Sequence, residues 1–203
     1  GIRMRVISVY NNNVVLAKDE KNSEVIVVGS GVGFQKKPGS LVDKSSITRI
    51  FYTKNEGHDD LLELLSRIPA ETFEITQTIL EEALGGEENV QDRLVIVLAD
   101  HISIALSRAK KGQFATNLVL SEIKFLYEEE YRDGLKALDI IEKMTGISLP
   151  DDEAGYIAMH LANAKMGDTK GKPAQIIQFV KDVMLIIRYS LDLDLPEDNL
   201  DYY

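Results

Sequence analysis

The sequence predicts an α+β multidomain chain, with a small all-β domain followed by an all-α helical bundle. Three observations carry that expectation. Apolar residues come in short β-branched runs from Met4 to Phe51, they recur at helical spacing from Leu61 onward, and the charge changes sign near the same place. Residues 1–55 hold nine Lys/Arg against four Asp/Glu, a surplus of +5, within a chain whose total is -10. The remainder holds fourteen basic and twenty-nine acidic residues, which is -15. A polyanion is attracted to the first piece and repelled by the second.

In the first piece, Arg5-Val6-Ile7-Ser8-Val9 and Val14-Val15-Leu16-Ala17 read as strands. They are separated by Tyr10-Asn11-Asn12-Asn13, whose asparagines tolerate the left-handed backbone of a tight turn. A polar turn over 18–22 leads to a third strand, Glu24-Val25-Ile26-Val27-Val28. Gly29-Ser30-Gly31-Val32-Gly33 ends that strand, because three glycines in five residues permit unusual dihedrals and close backbone approach. A domain of about 50 residues is small for independent stability. With no cysteine for a disulfide, pairing with a second copy is the simplest remedy, so a homodimer is expected.

The second piece predicts four amphipathic helices joined by short connections. The first opens near Pro69 and stops at Gly85-Gly86, the second runs from about Val90 to Gly112, the third from about Leu118 to Gly146, and the fourth from Asp151 to Gly167. They describe a compact bundle. Residues 168–173 read as a linker, and a further apolar helix from Ile176 to Leu191 precedes an acidic end. One helix cannot form its own core, so the chain reads as a piece of a longer protein, with Gly1-Ile2-Arg3 ahead of Met4 as residues appended in cloning. The expected division is 4–55, 59–168 and 174–203.

Composition narrows the function classes. The chain's 203 residues, 44% hydrophobic and 28% charged, fit an ordinary globular protein. No apolar run approaches the ~20 residues that span a bilayer, and the start lacks an export signal, so no membrane insertion and a cytoplasmic location are expected. Absence of Cys removes thiolate catalysis and Cys-ligated zinc, and three histidines are too few for a helical metal-dependent phosphohydrolase built around Asp100-His101. There is no Walker loop, nucleophile elbow or dinucleotide fingerprint, because the glycines at 29, 31 and 33 lead into Phe34-Gln35-Lys36-Lys37 rather than a helix. No enzyme, metal or cofactor is expected.

Asn11-Asn12-Asn13-Val14-Val15, followed by residues 29–37, resembles the co-antiterminator RNA-binding domain of the BglG/SacY family of sugar-operon antiterminators. The helical part resembles that family's first phosphotransferase-system (PTS) regulation domain, at Asp100-His101-Ile102-Ser103-Ile104-Ala105-Leu106-Ser107-Arg108 and over 149–160. The last helix resembles the start of a second, truncated regulation domain. The resemblance implies a homodimer that grips a leader-mRNA hairpin and stabilises it against an overlapping terminator. It also implies histidine phosphorylation by the PTS sugar permease (EIIB) and by HPr, the permease usually inactivating through the first domain and the carrier usually activating through the second.

The family's RNA contacts map onto Asn13, Gly29, Ser30 and Phe34, with Ser8 a further candidate. The chemistry suits RNA: an amide reads base edges, a glycine lets backbone approach the sugar, and a ring stacks on a splayed base. From the residues alone, Asn13 could equally make a turn, Gly29 a bulge and Phe34 a core contact. Ser8 and Ser30 stand where many relatives place a basic residue, which leaves Lys36, Lys37 and Arg5 as substitutes for phosphate contact. The phosphorylation candidates are His101 and His160. Arg108, seven positions after His101, shares its helix face and is placed to pair with a phosphoryl group. Asp152 and Glu153 precede His160 by about two turns and Tyr156 by one, whereas His58, among Glu56, Asp59 and Asp60, reads as a solvated residue. A lone helical histidine can also be a hydrogen-bonded structural residue. The rival function is a dimerisation or signalling scaffold without an RNA partner, which salt-dependent binding to a structured hairpin would separate from the RNA-binding reading.

Overall fold

A computed structural model describes residues 3–52, 58–84 and 92–166. The N-terminal part is a four-stranded antiparallel meander in the order β1-β2-β3-β4, with β1 at Arg5–Asn11, β2 at Val14–Lys18, β3 at Glu24–Val28 and β4 at Arg49–Tyr52. A single 3-10 turn at Lys44–Ser46, capped by Asp43, precedes β4. Among the described residues six helices follow: α1 (His58–Arg67), α2 (Ala70–Leu84), α3 (Asp92–Ala109), α4 (Leu120–Leu126), α5 (Glu128–Thr145) and α6 (Asp151–Met166).

Cross-strand register explains why the valine-rich runs form this sheet. Val15 lies opposite Val9 and Val27, and Val27 opposite Ile50. These residues share one face with Val6, Ala17 and Val25, and Met4, Val32 and Val42 from outside the strands complete that core. The other face carries Val14, Ile26, Val28 and Phe51, all buried. Helices cover this second face: Phe51 meets Phe73 of α2 edge-on at 6.3 Å, and α1 packs on β1 and β2. A sheet apolar on both faces needs both covered, and here the helices following it cover the second.

The open edge of β1 is also occupied. Val6 exchanges backbone hydrogen bonds with residues 39–40, its N–H donating to Ser40 O at 2.9 Å and its carbonyl accepting from Gly39 N–H at 2.7 Å. Val42 N–H donates to Met4 O at 3.0 Å. The strap hides the row of unpaired backbone groups that an edge strand otherwise offers to other chains.

The chain divides into two compact units, residues 1–104 and 105–203, with the division inside α3. The first holds the sheet, α1, α2 and the first part of α3. Their apolar faces follow helical spacing, as with Leu62 and Leu65 on α1, or Phe73, Thr76 and Ile79-Leu80 on α2. In the second unit, α4, α5 and α6 pack together, with Ile123, Ile141, Ile157 and Leu161 fully buried.

Two helix assignments from sequence are corrected. A ten-residue helix, α1, precedes Pro69, where only a change of period was read. The single helix expected from Leu118 to Gly146 is two, because Tyr127 sits at φ -132 and ψ 48 between α4 and α5. Glu128, Glu129 and Glu130 follow directly, and three carboxylates suit the first turn of a new helix better than the middle of an old one. The linker at 168–173, the helix over 176–191 and Gly85-Gly86 lie outside the described residues.

Candidate RNA-binding surface and histidine-bearing helices

The β1–β2 turn and the glycine loop after β3 form one hydrogen-bonded unit. Asn11 Oδ1 accepts from Asn13 N–H at 2.8 Å, an Asx-type closure of the turn. Alternate amides of the loop then donate into the turn: Gly29 N–H to Asn13 O at 3.0 Å, Gly31 N–H to Asn13 Oδ1 at 3.0 Å, and Gly33 N–H to Asn12 O at 2.9 Å. Since a backbone N–H can only donate, its partner on Asn13 is the oxygen. The Asn13 amide is thereby fixed, and its Nδ2 donor is the group available to a ligand.

Gly29 is buried, and its missing side chain has a structural reason. A Cβ there would lie 1.7 Å from Ser46 O and 2.9 Å from Thr48 N, so the segment entering β4 passes directly over it. Between the strapped glycines, Val32 points into the core and Ser30 is exposed. Phe34 N–H donates to Gly31 O at 3.0 Å, closing a turn that leaves its ring 57% exposed. An exposed aromatic on a loop held this tightly is placed to stack at little ordering cost.

Asn13, Gly29, Ser30 and Phe34 therefore belong to one turn-and-loop unit. Ser8 is exposed on β1, beside a register shift between Val6 and Ser8, and makes none of the hydrogen bonds that close this unit. Among the basic candidates, Lys37 is exposed, Lys36 is half-buried, and Arg5 donates to Gly39 O at 3.2 Å on the strap. Arg49 is committed elsewhere, paired with Asp92 of α3 at 2.9 Å and only 13% exposed. The sequence reading missed Asn11 as a second anchor: besides closing the turn, its Nδ2 donates to Ser66 O at the end of α1, at 3.4 Å.

His101 is half-buried on α3, and Arg108 is exposed in the last turn of the same helix. The exposed apolar residues Val97 and Ile104 lie four before and three after His101, on its side of the helix. His160 is half-buried on α6.

The polar residues preceding His160 face a loop. Asp152 Oδ1 accepts from Asn117 N–H at 2.6 Å, Asn117 Nδ2 donates to Asp152 O at 3.3 Å, and Tyr156 OH donates to Thr116 O at 3.0 Å. Tyr131 OH donates to Asp151 at 3.4 Å, and burial, followed by the negative charge of Asp151, pushes its pKa up to about 12. Glu153 is buried. Asn117 is the residue sequence reasoning missed here; an asparagine just ahead of an apolar run is a capping signal, and its Oδ1 accepts from Val119 N–H at 3.1 Å. The side chain of His58 lies outside the described residues. Among the described residues there is no group of three His, Cys, Asp or Glu that could hold a metal, and no helix long and apolar enough to cross a membrane.

Comparison with known proteins supplies the family. Residues 4–60 match the model of the CAT RNA binding domain, and residues 85–164 that of the PRD domain. The chain is 38% identical to the beta-glucoside operon antiterminator of Dickeya chrysanthemi over 98% of its own length and 71% of the relative's. It is 35% identical to transcription antiterminator LicT of Bacillus subtilis (strain 168), covering 98% of this chain and 73% of that one. In three dimensions it is similar to the crystal structure of GlcT CAT-PRDI, with a TM-score of 0.66 and 30% identity over 81% of this chain and 99% of the other. These relatives are named as regulators, which sets the enzyme reading aside. The chain belongs to the BglG/SacY family of transcription antiterminators, carrying an RNA-binding CAT domain followed by a PRD domain.

Proposed function

We propose that the β domain binds a hairpin in the leader of a sugar-utilisation transcript and stabilises it against the overlapping terminator, so that polymerase reads through. The observation that carries this reading is the strapping of residues 29–33 onto the asparagine turn, which groups the Asn13 donor, the Ser30 hydroxyl and the Phe34 ring in one preorganised unit. Asn13 Nδ2 donates to a base or sugar acceptor, Phe34 stacks on an unpaired base, Ser30 contacts the backbone, and Gly29 shapes the loop. Lys36, Lys37, Arg5 and Ser8 add contacts at the margin. The molecule acts in the cytoplasm as a homodimer, with two copies of the unit meeting the two strands of a bulged stem.

PTS-dependent phosphorylation regulates this binding. The sugar permease (EIIB) and HPr are the donors, and His101 and His160 the acceptors, with Arg108 pairing to phosphate on His101. Each phosphoryl group adds about -1.5 to -2 charge to a region already strongly acidic. Where two regulation domains share an interface, that charge separates them and the tethered RNA-binding domains lose their paired geometry.

The test is a titration of the leader hairpin of the adjacent sugar operon against the purified chain. Wild type is expected to bind with a salt-dependent affinity, and Phe34→Ala to bind roughly 1–3 kcal/mol more weakly. Unchanged affinity for a folded, dimeric Phe34→Ala protein removes Phe34 from the site, and absence of hairpin binding favours a scaffold without an RNA partner. Incubation with phosphorylated permease domain, followed by mass spectrometry of acid-labile phosphate, tests the histidines. Phosphate found only elsewhere refutes them.

A further inference from the structure

The first compact unit places an acidic helix face beside the loop to which RNA contact is assigned. A shallow cavity of about 350 Å³ lies there, with Ser30, Ser45 and Thr48 on one wall and Glu74, Gln77 and Glu81 of α2 on the other. Glu74 and Glu81 are exposed. Gln77 Nε2 donates to Glu81 Oε1 at 3.5 Å, while Gln77 Oε1 is buried with no hydrogen-bond partner among the described residues. The α2 wall thus sets the negative charge of Glu74 and Glu81 beside the polar groups of Gln77 and Thr78. A phosphodiester is itself anionic, so an RNA phosphate entering along the Ser30 edge is repelled by the two carboxylates.

Docking of the sheet on the helices works in the same direction at a second place. Arg49, one of the nine cations of residues 1–55, is paired with Asp92 at 2.9 Å and lies over the Phe51 ring, 5.7 Å from its centroid. One positive charge of the RNA-binding half is therefore spent on the start of α3. The same contacts that bury Phe51 against Phe73 set α2 in place next to Ser30.

We propose that α2 is an electrostatic guard on the RNA-binding loop: while the sheet is docked on it, Glu74 and Glu81 weaken capture of RNA at the Ser30 edge. The guard rests on the RNA-binding role proposed above for that loop, and adds a brake within the chain that needs no phosphorylation. Regulation then includes how firmly the sheet rests on α2, and neutralising the guard releases part of the brake without moving any helix.

The test compares hairpin affinity of the 203-residue chain, Glu74→Gln/Glu81→Gln, and an Asp139→Gln/Glu142→Gln control that removes the same charge from two exposed positions on α5. The probe is the labelled leader hairpin used above, titrated at ~50 and ~300 mM salt, with thermal unfolding of each protein recorded. The guard predicts that Glu74→Gln/Glu81→Gln binds about three- to tenfold more tightly than both wild type and control at the lower salt, with the gap closing at the higher, as screening requires. Equal affinity of wild type and Glu74→Gln/Glu81→Gln, or an equal gain in the control, overturns the guard while leaving RNA binding intact. Should the paired glutamines fold poorly, Glu74→Gln and Glu81→Gln singly must each give a partial gain, and no gain in either is likewise fatal. Failure of all proteins, wild type included, to bind the hairpin removes the RNA-binding reading and the guard together.

Discussion

Gly29, in the β domain, and Gly155, on α6, are both glycines of close approach, but what approaches each of them differs. At Gly29 the obstacle to a side chain is backbone, the Ser46 carbonyl at 1.7 Å, so nothing short of moving the entry to β4 makes room. At Gly155 it is the ends of two side chains, Asn117 Nδ2 at 2.6 Å and Leu120 Cδ1 at 2.8 Å. In the β domain, close approach fixes a backbone scaffold that turns Ser30 and Phe34 outward. In the helical hairpin it seats Asn117 against Asp152, and the polar groups turn inward. One region is built to present groups to a partner, the other to hold a histidine-bearing helix in place.

Substitutions should break that contrast in a definite order. The largest effect is expected for Gly29→Ala, where overpacking against backbone costs about 3 kcal/mol or more and releases the loop. Thermal unfolding checks the stability loss, and loss of slow hydrogen exchange at the Gly31 and Gly33 amides checks the release. Gly155→Ala should cost less, about 1–3 kcal/mol, because the Asn117 and Leu120 side chains can withdraw and what is chiefly lost is the hydrogen bonding of Asn117 to Asp152. Asn117→Ala should cost a similar amount, and the double variant little more than either alone; full additivity would show that Gly155 serves another contact. Phe34→Ala sharpens the contrast from the other side, since an exposed ring should leave stability within about 0.5 kcal/mol of wild type.

The smallest effect concerns the pair joining α5 and α6, Lys165 to Glu130 at 2.8 Å. Burial pushes the Glu130 carboxyl up, but hydrogen bonds from Lys165 and the backbone outweigh it and leave it below its ordinary value of 4.5. A carboxyl lower in the folded state stabilises above its unfolded value, and that contribution is lost as pH falls from about 4.5 through the folded value. Lys165 is 42% exposed, so the contribution is modest and screened by salt. Lys165→Met should flatten the acid limb of a stability-against-pH curve slightly. An unchanged limb would assign it to other carboxylates.

What the sequence disclosed follows the range of the interactions involved. The first three strands were legible from β-branched runs, whereas β4, four residues at Arg49–Tyr52 reached after a long loop, was not. The asparagine turn and glycine loop were legible from residues that signal their backbone locally. Docking of those two segments on each other was not, because Gly31 N–H and Asn13 Oδ1 are eighteen residues apart. The break at Tyr127 was hidden by apolar periodicity continuing on both sides of it. Asp152 and Tyr156 looked like neighbours for His160 by helical spacing, yet their hydrogen bonds go to the loop at 116–117, a choice made by packing thirty-five or more positions away.

The account's central claim is that the Asn13 amide, locked by Gly31, presents a donor to RNA. Asn13→Asp tests it most directly, since an aspartate keeps the oxygen that accepts from Gly31 N–H and loses only the donor, replacing it with negative charge. The measurement is hairpin affinity of Asn13→Asp against wild type, with hydrogen exchange at Gly31 recorded on the same samples. The prediction is a loss of at least about tenfold, or ~1.4 kcal/mol, with Gly31 still protected. Affinity equal to wild type with the loop intact would contradict it.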